Sequence, residues 1–233
     1  MTTAIQTKGG YSFPSYVWRQ VCLGRGTMLT YWCIQFGLWL LVSVVMLIAE
    51  QIFGSEGVAL GIPGMAAFIG GILVVFCMSV TLTGVYFALA VNLGVSRRRV
   101  VAGIWVLGAL YGAAIMLATV LLQMLWAAVF AGGRPVLDMI SLIPWWGWAS
   151  AALLPVAFSV FGSGIVRTFG TRGGVVLYIA FMAFCIVPSQ MNNIIPLEEE
   201  QLLAALPWFF AVLGVVCGVV GTILLLRVNI KNG

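Results

Sequence analysis

The sequence predicts an all-α membrane protein with six transmembrane helices and both termini in the cytoplasm. Hydrophobic residues make up 63% of the 233 positions and charged residues only 7%, and mean hydropathy is +1.15. The few charges sort by sign into alternate loops, which is the pattern of a multi-pass membrane protein. The segments outside the apolar runs are too short to bury a core of their own. Residues 1–233 are therefore predicted to form a single transmembrane domain.

Six apolar segments are predicted to cross the membrane, because about 20 helical residues span a hydrocarbon core of roughly 30 Å. They run from about Thr30 to Glu50, Gly64 to Ala90, Val101 to Phe130, Trp145 to Val166, Val175 to Val187 and Trp208 to Leu226. The fifth segment is short and ends before Pro188. It either extends past that proline or is a broken helix.

The distribution of charge orients the predicted bundle. Ten of the eleven basic residues fall in alternate loops on one side: Lys8, Arg19, Arg25, Arg97, Arg98, Arg99, Arg167, Arg172, Arg227 and Lys231. The other side receives all six acidic residues and a single arginine: Glu50, Glu56, Asp138, Glu198, Glu199, Glu200 and Arg134. Cytoplasmic loops carry an excess of Lys and Arg, so the first side is predicted to be inside.

Two further helices are predicted outside the spans. Tyr16 to Leu29 mixes apolar and basic residues, which favours an interfacial elbow helix on the inner leaflet, although Gly24 and Gly26 weaken that pattern. On the outer side, a short helix is expected from Pro196 to Pro207, between spans five and six. Its first turn carries Leu197, Glu198, Glu199 and Glu200. Acidic side chains suit a helix N-terminus; an acidic surface loop is the alternative.

The residue types needed for catalysis are largely missing. The chain has no histidine, and its only lysines, Lys8 and Lys231, lie outside any phosphate-loop motif. No acid or base lies at mid-depth to relay protons. Gln35, Gln123 and Ser79 are the main polar residues within spans, and helix-to-helix hydrogen bonds are their expected role. The chain is thus predicted to be neither an enzyme nor a nucleic-acid binder, and any energy source must be external.

The turn between spans two and three indicates what that source is. The stretch FALAVNLGVSRRRVVAG, Phe87 to Gly103, resembles the corresponding turn of bacterial ABC-2 type permeases, the small six-span subunits of ATP-binding cassette exporters. The resemblance covers about 15 residues as a motif and most of the chain as a layout. It implies a coupling helix that docks on an ATPase subunit, formed here by Asn92, Leu93, Gly94, Val95, Ser96, Arg97, Arg98 and Arg99.

The three arginines of this turn have more than one explanation. Topological anchoring alone accounts for their charge. They precede an outward-running helix, however, where the helix dipole disfavours cations. Anionic lipid headgroups or acidic residues on a partner would offset that effect. Ser96 is the expected N-cap, and Gly94 permits the reversal of the chain.

The resemblance implies an exporter permease in the bacterial plasma membrane. It would move an amphipathic or hydrophobic cargo (a peptide, a lipid or a drug) outward, and its size and layout resemble permeases of antimicrobial-peptide self-protection. The implied partners are cytosolic ATP-binding cassette subunits, a second permease copy or relative, and membrane lipids. ATP and Mg would bind the ATPase partner, with no cofactor in this chain. The alternative is a non-transporting scaffold or regulatory subunit, whose outer-face residues would carry the interactions.

Overall fold

The computed structural model describes residues 12–53, 62–130, 143–179, 182 and 199–227. The described residues contain helices and short turns and no strand. The helices are α1 Phe13–Leu23, α2 Arg25–Phe53, α3 Ile62–Thr81, the π-helix π1 Leu82–Tyr86, α4 Phe87–Asn92, α5 Arg97–Phe130, α6 Trp145–Phe169, α7 171–179 and α8 Glu199–Arg227. The all-α prediction is confirmed for this part of the chain.

Five helical segments are long and apolar enough to cross a membrane. They are Arg25–Ala49, Ile62–Asn92, Arg97–Val129, Trp145–Phe169 and Pro207–Arg227. These match the predicted spans one to four and six, which supports the prediction of a multi-pass membrane protein. The predicted fifth span, Val175 to Val187, lies mostly outside the described residues, which here comprise α7 and Met182.

Helices α5 and α6 pack in opposite directions through two glycines. A Cβ atom on Gly108 would lie 2.7 Å from the Val156 side chain, and one on Gly112 would lie 2.6 Å from the carbonyl oxygen of Ala152. A step of four residues toward the C-terminus of α5 therefore matches a step of four residues toward the N-terminus of α6, so the two helices are antiparallel. Small residues allow this close approach of two helix backbones. Both glycines pack inside the bundle.

Helices α6 and α8, by contrast, run in the same direction. A Cβ atom on Gly214 would lie 2.9 Å from Leu154, one on Gly221 would touch the backbone of Phe161, and one on Gly164 would lie 3.0 Å from Leu224. The two partners in each contact are separated by the same 60 positions. Since this offset is constant over about ten residues, the two helix axes are parallel.

The core lies where α3, α5 and α6 meet, and α2 is peripheral to it. Fully buried side chains there include Val75, Ile115, Val156 and Val160. In the most apolar stretch of the third span, 50% of the residues are buried within the protein, whereas in the first span only 17% are. Most of the surface of α2 therefore faces away from the bundle.

The N-terminal helix is shorter than predicted. The expected helix from Tyr16 to Leu29 is divided in two, because α1 ends at Leu23 with Gly24 as its C-cap and α2 begins at Arg25. Glycine is needed at position 24, where a Cβ atom would lie 2.6 Å from the Tyr111 hydroxyl. Tyr16 packs on Gly103 of α5 in the same way. The two tyrosines hold α1 against the third span.

The outer helix also differs from the prediction. It was expected to end at Pro207, but α8 starts at Glu199 and continues through that proline to Arg227. Proline removes one backbone hydrogen bond from a helix interior. In a membrane a break would leave still more backbone groups without partners, so continuing the helix is favoured. Residues 199–206 are thus the first turns of α8 and do not form a separate helix.

Candidate functional site

A Schellman motif forms the turn between the second and third spans. The Gly94 N–H donates to the Val91 carbonyl and the Val95 N–H donates to the Ala90 carbonyl, each over 3.0 Å. Gly94 has φ +83°, the left-handed conformation that this motif requires. Val95 then packs against the core. The predicted role of Gly94 in reversing the chain is confirmed.

The turn presents an apolar tip bordered by basic residues. Asn92 is the last residue of α4, and Leu93 follows with 75% of its surface exposed. Gly94 and Ser96 are also exposed. The backbone carbonyl of Ser96 accepts the Val100 N–H, so this residue occupies the N-cap position of α5, as predicted. The expected separate coupling helix is replaced here by the four-residue turn 93–96.

The three arginines form the first turn of α5. Arg97 is half-buried, whereas Arg98 and Arg99 are exposed. No acidic residue shares this turn. Three cations therefore lie where the helix dipole is positive, which is an unfavourable position for a cation.

A second site lies close to this turn, at a π-helix in the second span that the apolar sequence does not predict. Residues Leu82–Tyr86 widen the helix by one residue, which frees backbone carbonyls from their usual partners. The Arg167 guanidinium of α6 donates to two of them, the carbonyl oxygens of Thr83, at 3.2 Å, and Gly84. It also stacks over the fully buried Phe87 ring, 5.0 Å from the centroid. We call this group the arginine clamp.

Hydroxyl groups extend the arginine clamp along α6. The Thr83 hydroxyl lies 2.8 Å from Ser159 Oγ and accepts a hydrogen bond of 2.7 Å from Ser163. Ser159, Ser163 and Arg167 are spaced four residues apart, so they share one face of the helix. That spacing is the sequence signal that locates the clamp. From its place in the sequence, Arg167 is expected only to mark the cytoplasmic side of the bundle.

Two of the three predicted polar bridges within the spans are present. Gln35 Nε2 donates to Thr119 Oγ1 over 2.7 Å, and Gln123 Nε2 donates to the Gly64 carbonyl over 3.3 Å. The Ser79 hydroxyl instead donates to Val75 O in its own helix. Each glutamine therefore ties two spans together, and Ser79 does not.

The predicted outer residues lie far from the turn. Leu197 and Glu198 fall outside the described residues, whereas Glu199 and Glu200 begin α8. Near the other end of α8, Thr222 accepts a 3.0 Å hydrogen bond from Trp105 Nε1. Since 23 residues separate Glu199 from Thr222, they are about 35 Å apart along the helix. The structure does not bring the two predicted sites together.

A groove of about 640 Å³ lies between α6 and α8. Its lining is almost entirely apolar and uncharged. It includes Trp105, Trp146, Leu154, Phe210, Gly214 and Val219. Such a surface accommodates hydrocarbon or an apolar side chain and offers no charged group to an ion.

Comparison with protein-family models, curated proteins and solved structures finds no match for the chain.

Proposed function

We propose that this chain is the membrane subunit of an ATP-driven exporter and that the turn at Asn92–Arg99 docks on a cytosolic ATP-binding cassette subunit. The observation that carries the proposal is the turn itself. A glycine-dependent motif fixes its shape, Leu93 is exposed at its tip, and three arginines follow. Exposed apolar residues beside cations suit an apolar pocket with an acidic rim on a partner.

The arginine clamp supplies a route from the turn to the rest of the bundle. Arg167 of α6 binds the carbonyl groups at the start of the short segment that leads through α4 to the turn. Between Phe87 and Leu93 the chain rises about 9 Å, or less than two helical turns. A displacement of Leu93 would therefore be transmitted to α6 through this short helical segment and its hydrogen bonds to Arg167.

The parallel packing of α6 and α8 supports six crossings. If both helices cross the membrane in the same direction, the chain must return to the starting side between Phe169 and Pro207. That return is a further crossing, in the position of the predicted span Val175 to Val187. An even number of crossings places both termini on one side, and the arginine-rich loops assign that side to the cytoplasm.

The lining of the groove favours an amphipathic or hydrophobic cargo such as a peptide, a lipid or a drug. A single copy would supply half of the transport pathway, paired with a second permease in a bacterial plasma membrane. ATP and Mg would bind the ATPase partner. On this proposal the chain has no catalytic residue of its own.

The proposal is tested by purifying the chain, under mild conditions, from its native membranes. We expect an ATP-binding protein to be recovered with the wild type. Leu93→Asp and Arg98→Glu should each reduce that recovery at least about tenfold, because losing an anchor at a small interface costs about 2 kcal/mol. Mass spectrometry and ATP hydrolysis of the eluate provide the two readouts.

Arg172→Glu is the matched control, since it makes the same charge change at an exposed position in α7 and is not part of the turn. It should leave recovery unchanged. Finding no ATP-binding protein with the wild type, or equal recovery with all three variants, would overturn the proposal.

A further inference from the structure

Four polar atoms are buried between the first span and its neighbours without a hydrogen-bond partner among the described residues. They are Gln35 Oε1, Trp39 Nε1, Ser43 Oγ and Gln123 Oε1. Gln35, Trp39 and Ser43 are spaced four residues apart on one face of α2, and each is only 2% exposed. Gln123 faces them from α5, one turn beyond Thr119. We call these four residues the polar seam.

Buried polar atoms of this kind are rare, because each forgoes the hydrogen bonds it would make in water. Four of them in one short interface make the closed arrangement of the polar seam costly. The same atoms would be satisfied if the helices parted and water entered. The four atoms are buried and lack hydrogen-bond partners, and this combination points to a second, open state of the interface.

No other interface of the bundle contains, among the described residues, a buried polar side-chain atom without a hydrogen-bond partner. Between α5 and α6 the contacts are glycine against the Val156 side chain and the Ala152 backbone, and between α6 and α8 they are glycine against Leu154 and Phe161. Opening those interfaces would expose mainly apolar surface. Helix α2 is also the least buried span, with 17% of its apolar window covered. Unpartnered polar atoms and low burial thus coincide at the polar seam, which is the interface that we expect to open.

We propose that the polar seam is a hydration site: α2 separates from α3 and α5 far enough for water molecules to bind Gln35, Trp39, Ser43 and Gln123. The chemistry of the four atoms matches water. The amide oxygens accept hydrogen bonds, the indole N–H donates one, and the serine hydroxyl does both. None of the four side chains carries a charge, so neither a cation nor an anion finds a counter-charge there. The seam requires no ATPase partner for this behaviour.

The test uses the full chain in membrane vesicles, with its five cysteines replaced and single cysteines reintroduced. A water-soluble methanethiosulfonate reagent reacts with the thiolate, which forms only where water reaches the sulfur. We expect Ser43→Cys to react at least about tenfold faster than two matched variants, because only its thiol would be hydrated. Size-exclusion chromatography of each variant verifies that it folds.

Two control variants show how fast a cysteine reacts when it faces lipid and when it lies in a dry protein interface. Leu41→Cys lies on the opposite, exposed face of α2, and Val156→Cys lies fully buried in the dry interface between α5 and α6. Both should react slowly. If Ser43→Cys reacts no faster than Val156→Cys, the seam stays dry and the proposal is wrong.

A substitution that adds a methyl group inside the polar seam provides a second test. A methyl group on Gly71 would lie 2.7 Å from Thr119 Oγ1 and 3.3 Å from Gln35 Nε2, inside the seam. Gly71→Ala should therefore hold the seam open and speed the labelling of Ser43→Cys severalfold. An unchanged rate would show that the reagent reaches Ser43 by another route and would also overturn the proposal.

Discussion

Gly94 shows how far a single residue in the sequence determines the local structure. A glycine between an apolar helix and an arginine-rich one predicts a left-handed turn, and the structure has it at φ +83°. The same reasoning places Ser96 at the start of α5, where its carbonyl accepts the Val100 N–H. These positions were predictable because their constraints are local: backbone sterics and the first hydrogen bond of a helix.

We expect Gly94→Ala to destabilise the protein by about 1 kcal/mol, because alanine pays for the left-handed conformation and glycine does not. Its recovery of the ATPase should fall as the tip shifts. The measurement is the free energy of unfolding in mixed micelles, followed by circular dichroism. Gly26→Ala is the matched control: it lies in a helix with no atom within 4 Å of the new Cβ. Equal destabilisation of both variants would contradict a special role for Gly94.

Within the spans, side-chain partners were less predictable than at the turn. Gln35 and Gln123 were expected to bridge helices and do so, but the sequence did not indicate which atoms they would bind. The unpartnered carbonyl oxygens of their amides were not foreseen either. Partner choice depends on the rotation and register of neighbouring helices, which a uniformly apolar sequence does not specify.

At the scale of elements, the π-helix at Leu82–Tyr86 lies beyond what the sequence predicts. Its residues read as an ordinary apolar helix and contain no proline. The extra residue is accommodated because Arg167, on another helix, binds the carbonyl groups it frees. The element thus depends on a contact between positions more than 80 residues apart.

We expect Arg167→Ala to lower the free energy of unfolding by about 2 kcal/mol, since it leaves the carbonyls of Thr83 and Gly84 without their charged donor. Arg167→Lys should restore only part of this, because an ammonium lacks the planar fork of the guanidinium. Arg172→Ala, at an exposed position of α7, should have little effect. If Arg167→Lys were as stable as the wild type, the arginine clamp would need only a positive charge and not the shape of the guanidinium.

The same variants separate folding from coupling. If the clamp transmits motion, Arg167→Lys should still co-purify the ATPase while the hydrolysis rate responds less to cargo. A variant that loses recovery and hydrolysis together would instead indicate general damage to the fold.

For the whole molecule, the sequence predicted the spans well because apolar length and charge placement are properties of composition. The predicted spans one to four and six coincide with apolar helices of the structure, and most of their ends agree to within a few residues. The directions of those helices came only from the packing of glycines, such as Gly221 against Phe161. The predicted N-terminal helix ran through Gly24, but that glycine ends α1. The helix end expected at Pro207 was wrong because the membrane environment favours continuing the helix through the proline.

Six crossings with both termini inside make a direct topological prediction. Green fluorescent protein fused after Phe169 or after Arg227 should fluoresce, because the proposed topology places both positions in the cytoplasm. Alkaline phosphatase fused after Leu206 should be active, because the proposed topology places that position outside. Active phosphatase after Arg227 would contradict the predicted return of the chain between α6 and α8.

The docking of the turn on an ATPase is tested most directly by a photo-crosslinking amino acid at position 93, with position 172 as the comparison. Illumination of native membranes should join position 93, and not position 172, to a cytosolic chain that contains a phosphate-loop motif. We expect this adduct to form only at position 93, where the exposed Leu93 side chain is replaced. An adduct of position 93 with lipid alone, or with a protein that binds no ATP, would contradict it.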